Sequence, residues 1–202
     1  MATAVPPSRF TNGLLPLTLP QGAEFVRVHW QANGPIFFGP NVGLPPANRF
    51  DAPGGEFRVL YAAQEIPGAF VETVLRHPGR VLRRSEVDAR AATRLTLGRP
   101  LQLAMVFDEG LQWHGIHAGE ISVDDYRVSR QLALDFYEAF PTLDGLAYRS
   151  RYNNGQVCYA LFDRVNHSDL TAGIRLDFDK HPSLIDGLMR LYGAVFDTSP
   201  LP

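Results

Sequence analysis

The sequence predicts one α+β (mixed α/β) domain, with small central sheets flanked by helices. Three observations carry that prediction. Short runs alternate side chains at the period of a strand, as in EFVRVHW from Glu24 to Trp30. A longer stretch, Asp124 to Phe140, repeats apolar residues every four positions, the spacing of a helix. The two kinds of segment are interspersed with no regular strand–helix–strand repeat, so a doubly wound parallel sheet is not expected.

The chain has 202 residues, a length suited to one domain that buries roughly 70% of its unfolded surface. Hydrophobic residues make up 45% and charged residues 20%, which is globular rather than disordered usage. The formal net charge is -2 and no block of like charges occurs. Duplex-binding domains are usually strongly basic, so nucleic acid is not expected as a direct partner. Cys158, the single cysteine, sits in the apolar run VCYALF; with no internal disulfide available, a buried thiol in a reducing compartment is expected. The first twenty residues lack the pattern of a signal peptide, and no apolar run approaches the ~20 residues that span a bilayer. A soluble, cytoplasmic protein without membrane contact is the expectation.

Taken in order, residues 1–22 carry four prolines and no period, and read as an irregular proline-rich arm, with residues 23–202 forming the domain proper. In the Glu24–Trp30 strand, Phe25, Arg27 and His29 share one face and Val26, Val28 and Trp30 the other. Gln31 to Asn48 is rich in Gly, Pro and Asn and reads as a long ordered loop. Phe57 to Ala63 is a short strand, and Pro67 opens a helix that His77-Pro78-Gly79 stops. Arg90–Leu97 and Leu101–Phe107 read as strands joined by Gly98-Arg99-Pro100, a joint of hairpin length, although an approach to another nearby strand would look the same. In the Asp124–Phe140 helix, Val128, Leu132, Phe136 and Phe140 form the apolar stripe, Asp124 and Asp125 favour the positive start, and Pro141 ends it. Leu146–Arg149 and Val157–Asp163 pair around the Asn153-Asn154-Gly155 turn. Ile174–Phe178 is a further strand, and Pro182–Tyr192 a terminal helix with Leu184, Ile185, Leu188 and Leu191 on one face.

The stretch from Asn48 to Arg76 is the centre of interest, because Arg49, Tyr61 and Glu72 together offer a phosphate ligand, an aromatic ring and a carboxylate to one small molecule. By periodicity alone Glu72 is a solvated residue in a first helical turn, well away from the apolar stripe of Phe70, Val71, Val74 and Leu75. His114, His117 and Glu120 in HGIHAGE are weak metal candidates, without a fourth ligand. Gly54 and Gly55 precede a strand, which is not the Rossmann arrangement.

These residues resemble the RES-domain family, the toxin half of bacterial RES/Xre toxin–antitoxin pairs. The motifs that carry the resemblance are FVRVHW, NRFDAPGG, VLYAAQEIPGAFVE and DGLAYRSRYNNGQVCYALFD, from about Glu24 to Asp163. The resemblance implies a fold like that of ADP-ribosyltransferases and an activity on NAD⁺. That activity is either cleavage of the nicotinamide–ribose bond, with water or phosphate as acceptor, or transfer of ADP-ribose to a protein. NAD⁺ is then a consumed substrate, phosphate a possible co-substrate, and no cofactor or metal is needed. It also implies a cognate Xre-family antitoxin that covers the active site, giving a hetero-oligomer. The proline-rich arm and the tail after about Asn166 depart from shorter members.

The family's Arg, Glu and Ser fall on Arg27 or Arg49, Glu72 and Ser150, with Tyr61 the matching tyrosine. In the reading drawn from the resemblance Glu72, Arg27 and Ser150 are catalytic, and Arg49, Tyr61 and His29 bind substrate. Bond cleavage leaves positive charge on the ribose, as in glycoside hydrolysis, and a fixed carboxylate such as Glu72 stabilises it. Arginine suits the pyrophosphate because its planar fork holds two oxygens at once. Each residue also has a plain structural role open to it: Arg27 snorkelling at a sheet edge, Arg49 capping a loop, Tyr61 a core tyrosine, His29 a packed strand histidine. Ser150 lacks the Gly-x-Ser-x-Gly setting of a nucleophile. A non-catalytic nucleotide-binding module is the remaining alternative.

Overall fold

The computed structural model describes residues 10–76 and 81–197. Its elements in chain order are β1 (Pro16–Leu19), β2 (Glu24–Trp30), β3 (Val59–Ala63), α1 (Ile66–Thr73), β4 (Val81–Leu82), α2 (Arg84–Asp88), β5 (Arg90–Leu97), β6 (Leu101–Val106), α3 (Glu109–Trp113), α4 (Ala118–Ser122), α5 (Arg127–Ala139), β7 (Gly145–Arg149), β8 (Val157–Phe162), β9 (Leu170–Asp177), α6 (Pro182–Leu191) and β10 (Val195–Phe196). The mixed α+β class and the single domain are as expected. The sheets are not all small: eight strands join in the order β1-β6-β7-β8-β3-β2-β5-β9, and β10 pairs with β4 separately. Among the described residues no helix is long and apolar enough to cross a membrane.

β5 and β6 do not form the expected hairpin. β5 lies between β2 and β9, while β6 lies between β1 and a parallel β7. Five strand spacings in a flat sheet span roughly 24 Å, yet the Gly98-Arg99-Pro100 link reaches at most about 14 Å. The sheet therefore curls until the end of β5 meets the start of β6. Inside the curl Phe25, Leu60, Leu95, Leu97, Leu101, Leu103 and Leu161 form one apolar cluster. Against the other face pack Phe70 and Val71 of α1, Leu132 and Phe136 of α5, and Ile185 and Leu188 of α6. Each such side chain contributes about 1.5–3 kcal/mol by leaving water.

Residues 16–19, within the stretch expected to be an irregular arm, form the edge strand β1 instead, with Leu17 opposite Leu103. Leu17 and Leu19 pack on the inner cluster, and Pro16 starts the strand, where its missing N–H is tolerated. Residues 1–9 lie outside the described residues, as does the His77-Pro78-Gly79 stop; α1 ends earlier, at Thr73, with Val74 as its C-cap. Glu72 is thus in the last turn of its helix, not the first. α5 starts at Arg127, after Asp124 and Asp125, whose side chains bind Arg151 and Arg127. Its buried side is Ser129, Leu132, Ala133 and Phe136, and Val128 is exposed. In α6, Met189 and not Leu191 completes the buried face.

Candidate active site

β2 and β3 share one paired position, Val26 with Ala63, whereas β3 pairs with β8 over five positions and β2 with β5 over seven. Beyond that single pair the two strands part, and a cavity of about 180 Å³ fills the gap. Its wall takes Arg27 and Val28 from β2, Tyr61 and Ala62 from β3, Ala69, Glu72 and Thr73 from α1, Tyr148 from β7, and Arg49 from the preceding loop. It opens past Arg76, Tyr126, Arg151 and Tyr152 into a shallower basin of about 680 Å³. Together the two parts reach the size usual for a small-molecule site.

α1 can lie close enough to present Glu72 because Gly68 has no side chain. A Cβ there would sit 2.9 Å from Gln156 Oε1 and 3.1 Å from Ala63 Cβ. The Arg151 backbone N–H donates to Glu72 Oε1 at 3.2 Å, which ties α1 to the segment after β7.

Arg49 is 5% exposed. Its Nη1 donates to the Ile121 carbonyl (3.1 Å), its guanidinium carbon lies over the rings of Tyr148 (4.4 Å) and Phe50 (4.9 Å), and its Nη2 is buried with no hydrogen-bond partner among the described residues. The loop that carries it is held from both sides. Asp51, fully buried, accepts the backbone N–H groups of Ala47 and Asn48 and the Tyr61 hydroxyl. From α5, Ser129 donates to the Arg49 carbonyl, and Arg130 donates to the carbonyls of Asn48 and Pro46.

Tyr61 lines the cavity, and its hydroxyl is tied up beneath it: it donates to Asp51 Oδ1 and accepts from the Phe50 N–H, both at 2.9 Å. Burial, then the charge of Asp51, pushes its phenol well above the usual value, so it stays a neutral donor. Burial likewise raises Tyr148, with Glu72 adding to the rise and Arg49 opposing it.

Arg27 reaches the cavity wall, and its Nη1 donates to the carbonyls of Pro35 (2.9 Å) and Phe37 (2.7 Å). Burial lowers its pKa to about 10, which leaves it charged at neutral pH. It pins the 31–48 loop to β2 as well as facing the site.

Two expected site residues are elsewhere. Ser150 is fully buried outside the cavity wall, and its Oγ accepts the N–H groups of Tyr152 and Asn153, so it shapes the turn that delivers Arg151 and Tyr152. His29 is a packed strand histidine: Nδ1 donates to the Trp30 carbonyl, which leaves Nε2 to accept from Thr93 Oγ1, and burial lowers its pKa. Of the weak metal candidates, His114 packs between Phe10 and Phe136, and Glu120 accepts the backbone N–H of His117, the N-cap of α4. Among the described residues no group of three or more such ligands gathers.

Sequence patterns did not mark Asp51, Tyr126, Tyr148, Tyr152 or Arg76 as site residues. Tyr148 carried a faint signal, a lone hydroxyl next to the apolar Leu146 and Ala147 of its strand. Asp51 and Arg76 gave none, since their roles depend on what the fold brings to them.

The description "RES domain" belongs to a family model that matches residues 24–181. Among solved structures, a chain in the crystal structure of the M. tuberculosis MbcT–MbcA toxin–antitoxin complex superimposes with a TM-score of 0.63 at 14% identity. The alignment covers 86% of this chain and 92% of that one. No curated protein matches the sequence.

Proposed function

The chain belongs to the RES-domain family, and we propose that it is the toxin of a toxin–antitoxin pair that cleaves the nicotinamide–ribose bond of NAD⁺ with water or phosphate as acceptor. The observation that carries this reading is the meeting, in one cavity, of Glu72 with the buried and unpartnered Nη2 of Arg49. A cavity that holds both a carboxylate and an unsatisfied guanidinium suits a ligand with a cationic centre at one end and phosphates at the other, and NAD⁺ is such a ligand.

In this mechanism Arg49 takes a pyrophosphate oxygen on Nη2. The ring of Tyr61 flanks the nicotinamide, its hydroxyl kept out of the chemistry by Asp51. Glu72, oriented by the Arg151 N–H, hydrogen-bonds the ribose and stabilises positive charge as the bond to the departing nicotinamide breaks. The acceptor then attacks the sugar from the basin side. An antitoxin partner fits the exposed apolar residues of the loop that Arg27 anchors, among them Val42, which is 92% exposed, and Leu44.

Incubation of the purified protein with NAD⁺, with and without phosphate, followed by chromatography of the products, tests the reading. Free nicotinamide is expected, together with ADP-ribose or its phosphorylated form; label on a polypeptide instead would mean transfer to protein. Glu72→Gln is expected to slow nicotinamide release by on the order of 10²- to 10³-fold with the melting temperature unchanged. Full activity in that variant removes Glu72 from catalysis.

A further inference from the structure

We propose that the guanidinium of Arg76 binds a phosphate-type oxyanion at the junction of the two parts of the cleft. The proposal rests on the nucleotide reading above, and adds to it a residue and a place. Arg76 lines both the inner cavity and the outer basin. Its backbone is fixed, because the Tyr152 hydroxyl donates to its carbonyl while Arg151 donates to that same hydroxyl. Its guanidinium, by contrast, makes no hydrogen bond or ion pair among the described residues.

That freedom has a structural cause. Residues four apart on a helix face each other, and a Glu followed by an Arg at that spacing normally pairs. α1 stops at Thr73, so Arg76 lies beyond the helical register and Glu72 is bonded to the Arg151 N–H instead. Both charged groups are left to the cleft. Two other arginines of the wall are engaged, Arg27 with the Pro35 and Phe37 carbonyls and Arg151 with Asp124 and the Val123 carbonyl. Unspent donors therefore remain at Arg49 in the inner part and at Arg76 at its mouth. Across the whole wall four arginines face two carboxylates, Glu72 and Asp124, which favours an anion over a cation at the junction.

A planar fork with free donors matches two oxygens of one phosphate group. The oxyanion has two sources: the pyrophosphate of the bound dinucleotide, or a free inorganic phosphate in the basin. Calorimetric titrations of the full chain and of Arg76→Ala with inorganic phosphate, NAD⁺ and nicotinamide riboside separate them, with the NAD⁺ and nicotinamide riboside titrations made in a Glu72→Gln background to prevent turnover. Arg76→Ala is expected to bind NAD⁺ about tenfold more weakly, to bind nicotinamide riboside as before, and to melt at the same temperature. A loss confined to inorganic phosphate supports the site and names free phosphate as its occupant. Unchanged affinity for both phosphate and NAD⁺ overturns the proposal. A protein that releases no nicotinamide but still loses phosphate affinity on Arg76→Ala would refute the cleavage reading and leave the anion site standing.

Discussion

Arg49 divides one guanidinium between structure and site: Nη1 holds the Ile121 carbonyl, and Nη2 is buried with no partner among the described residues. A buried, unsatisfied donor costs about 1–3 kcal/mol, and more when charged, so the fold keeps it only because the surroundings over-determine its position. Asp51, Ser129 and Arg130 do so, through the backbone on either side of it. Lysine at this position would keep the charge but lose the fork and the contact of the guanidinium with the Tyr148 ring. Arg49→Lys is therefore expected to weaken NAD⁺ binding about tenfold in a titration, and equal affinity would remove Arg49 from the phosphate site. Arginine in NRFDAPGG and glutamate in GAFVE offered a phosphate ligand and a carboxylate by residue type, the family resemblance marked them as site residues, and the fold brings them together. Asp51 could not be read that way, because its importance lies in three backbone and hydroxyl donors contributed by residues up to ten positions away.

At the scale of elements, the curled sheet is fastened where its two ends meet. Arg99, in the short link between β5 and β6, makes a bidentate pair with the largely buried Asp144 and a further contact with Asp169. Asp144 also accepts the Gln102 N–H, and Gly98 donates to the Asp169 carbonyl. The approaches to β6, β7 and β9 thus share one knot. Removing one member of a buried pair costs about 3–5 kcal/mol, and the partial exposure of Arg99 lowers that through solvent screening. Asp144→Ala is expected to destabilise the protein by about 2 kcal/mol, read as a lower urea midpoint at unchanged slope; a shift below about 0.5 kcal/mol, the scale of ordinary surface changes, would show that the knot is not holding the curl. The strand ranges of β2, β7 and β8 were legible in sequence because alternation and the Asn153-Asn154-Gly155 turn are local. The order of strands was not. A three-residue joint looks the same whether it closes a hairpin or bridges the ends of a curled sheet, and only long-range packing of Leu95, Leu97, Leu101 and Leu103 decides between them. The five-residue helices α2, α3 and α4 and the two-residue strands β4 and β10 fell below any period that a sequence pattern can show.

For the molecule as a whole, the weak seam between β2 and β3 sets where a ligand has the most effect. One side of the seam is the run β1-β6-β7-β8-β3, the other is β2-β5-β9, and a single register position joins them within the sheet. The cavity lies in that seam, and its wall draws on β2, β3, β7, α1 and the Arg49 loop together. On the proposed reading a dinucleotide seated there would touch both sides at once, so its binding free energy would add to the stability of the whole domain. At a hundredfold excess over Kd that addition is about 2.7 kcal/mol, which for a chain of this size corresponds to a rise in Tm of about 5–10 °C. The Glu72→Gln variant allows the measurement without loss of ligand to turnover, and nicotinamide alone, which lacks the phosphates, is expected to give a much smaller rise. A melting curve of that variant unmoved by NAD⁺ at millimolar concentration would mean that the seam does not hold the dinucleotide, whatever activity the protein shows.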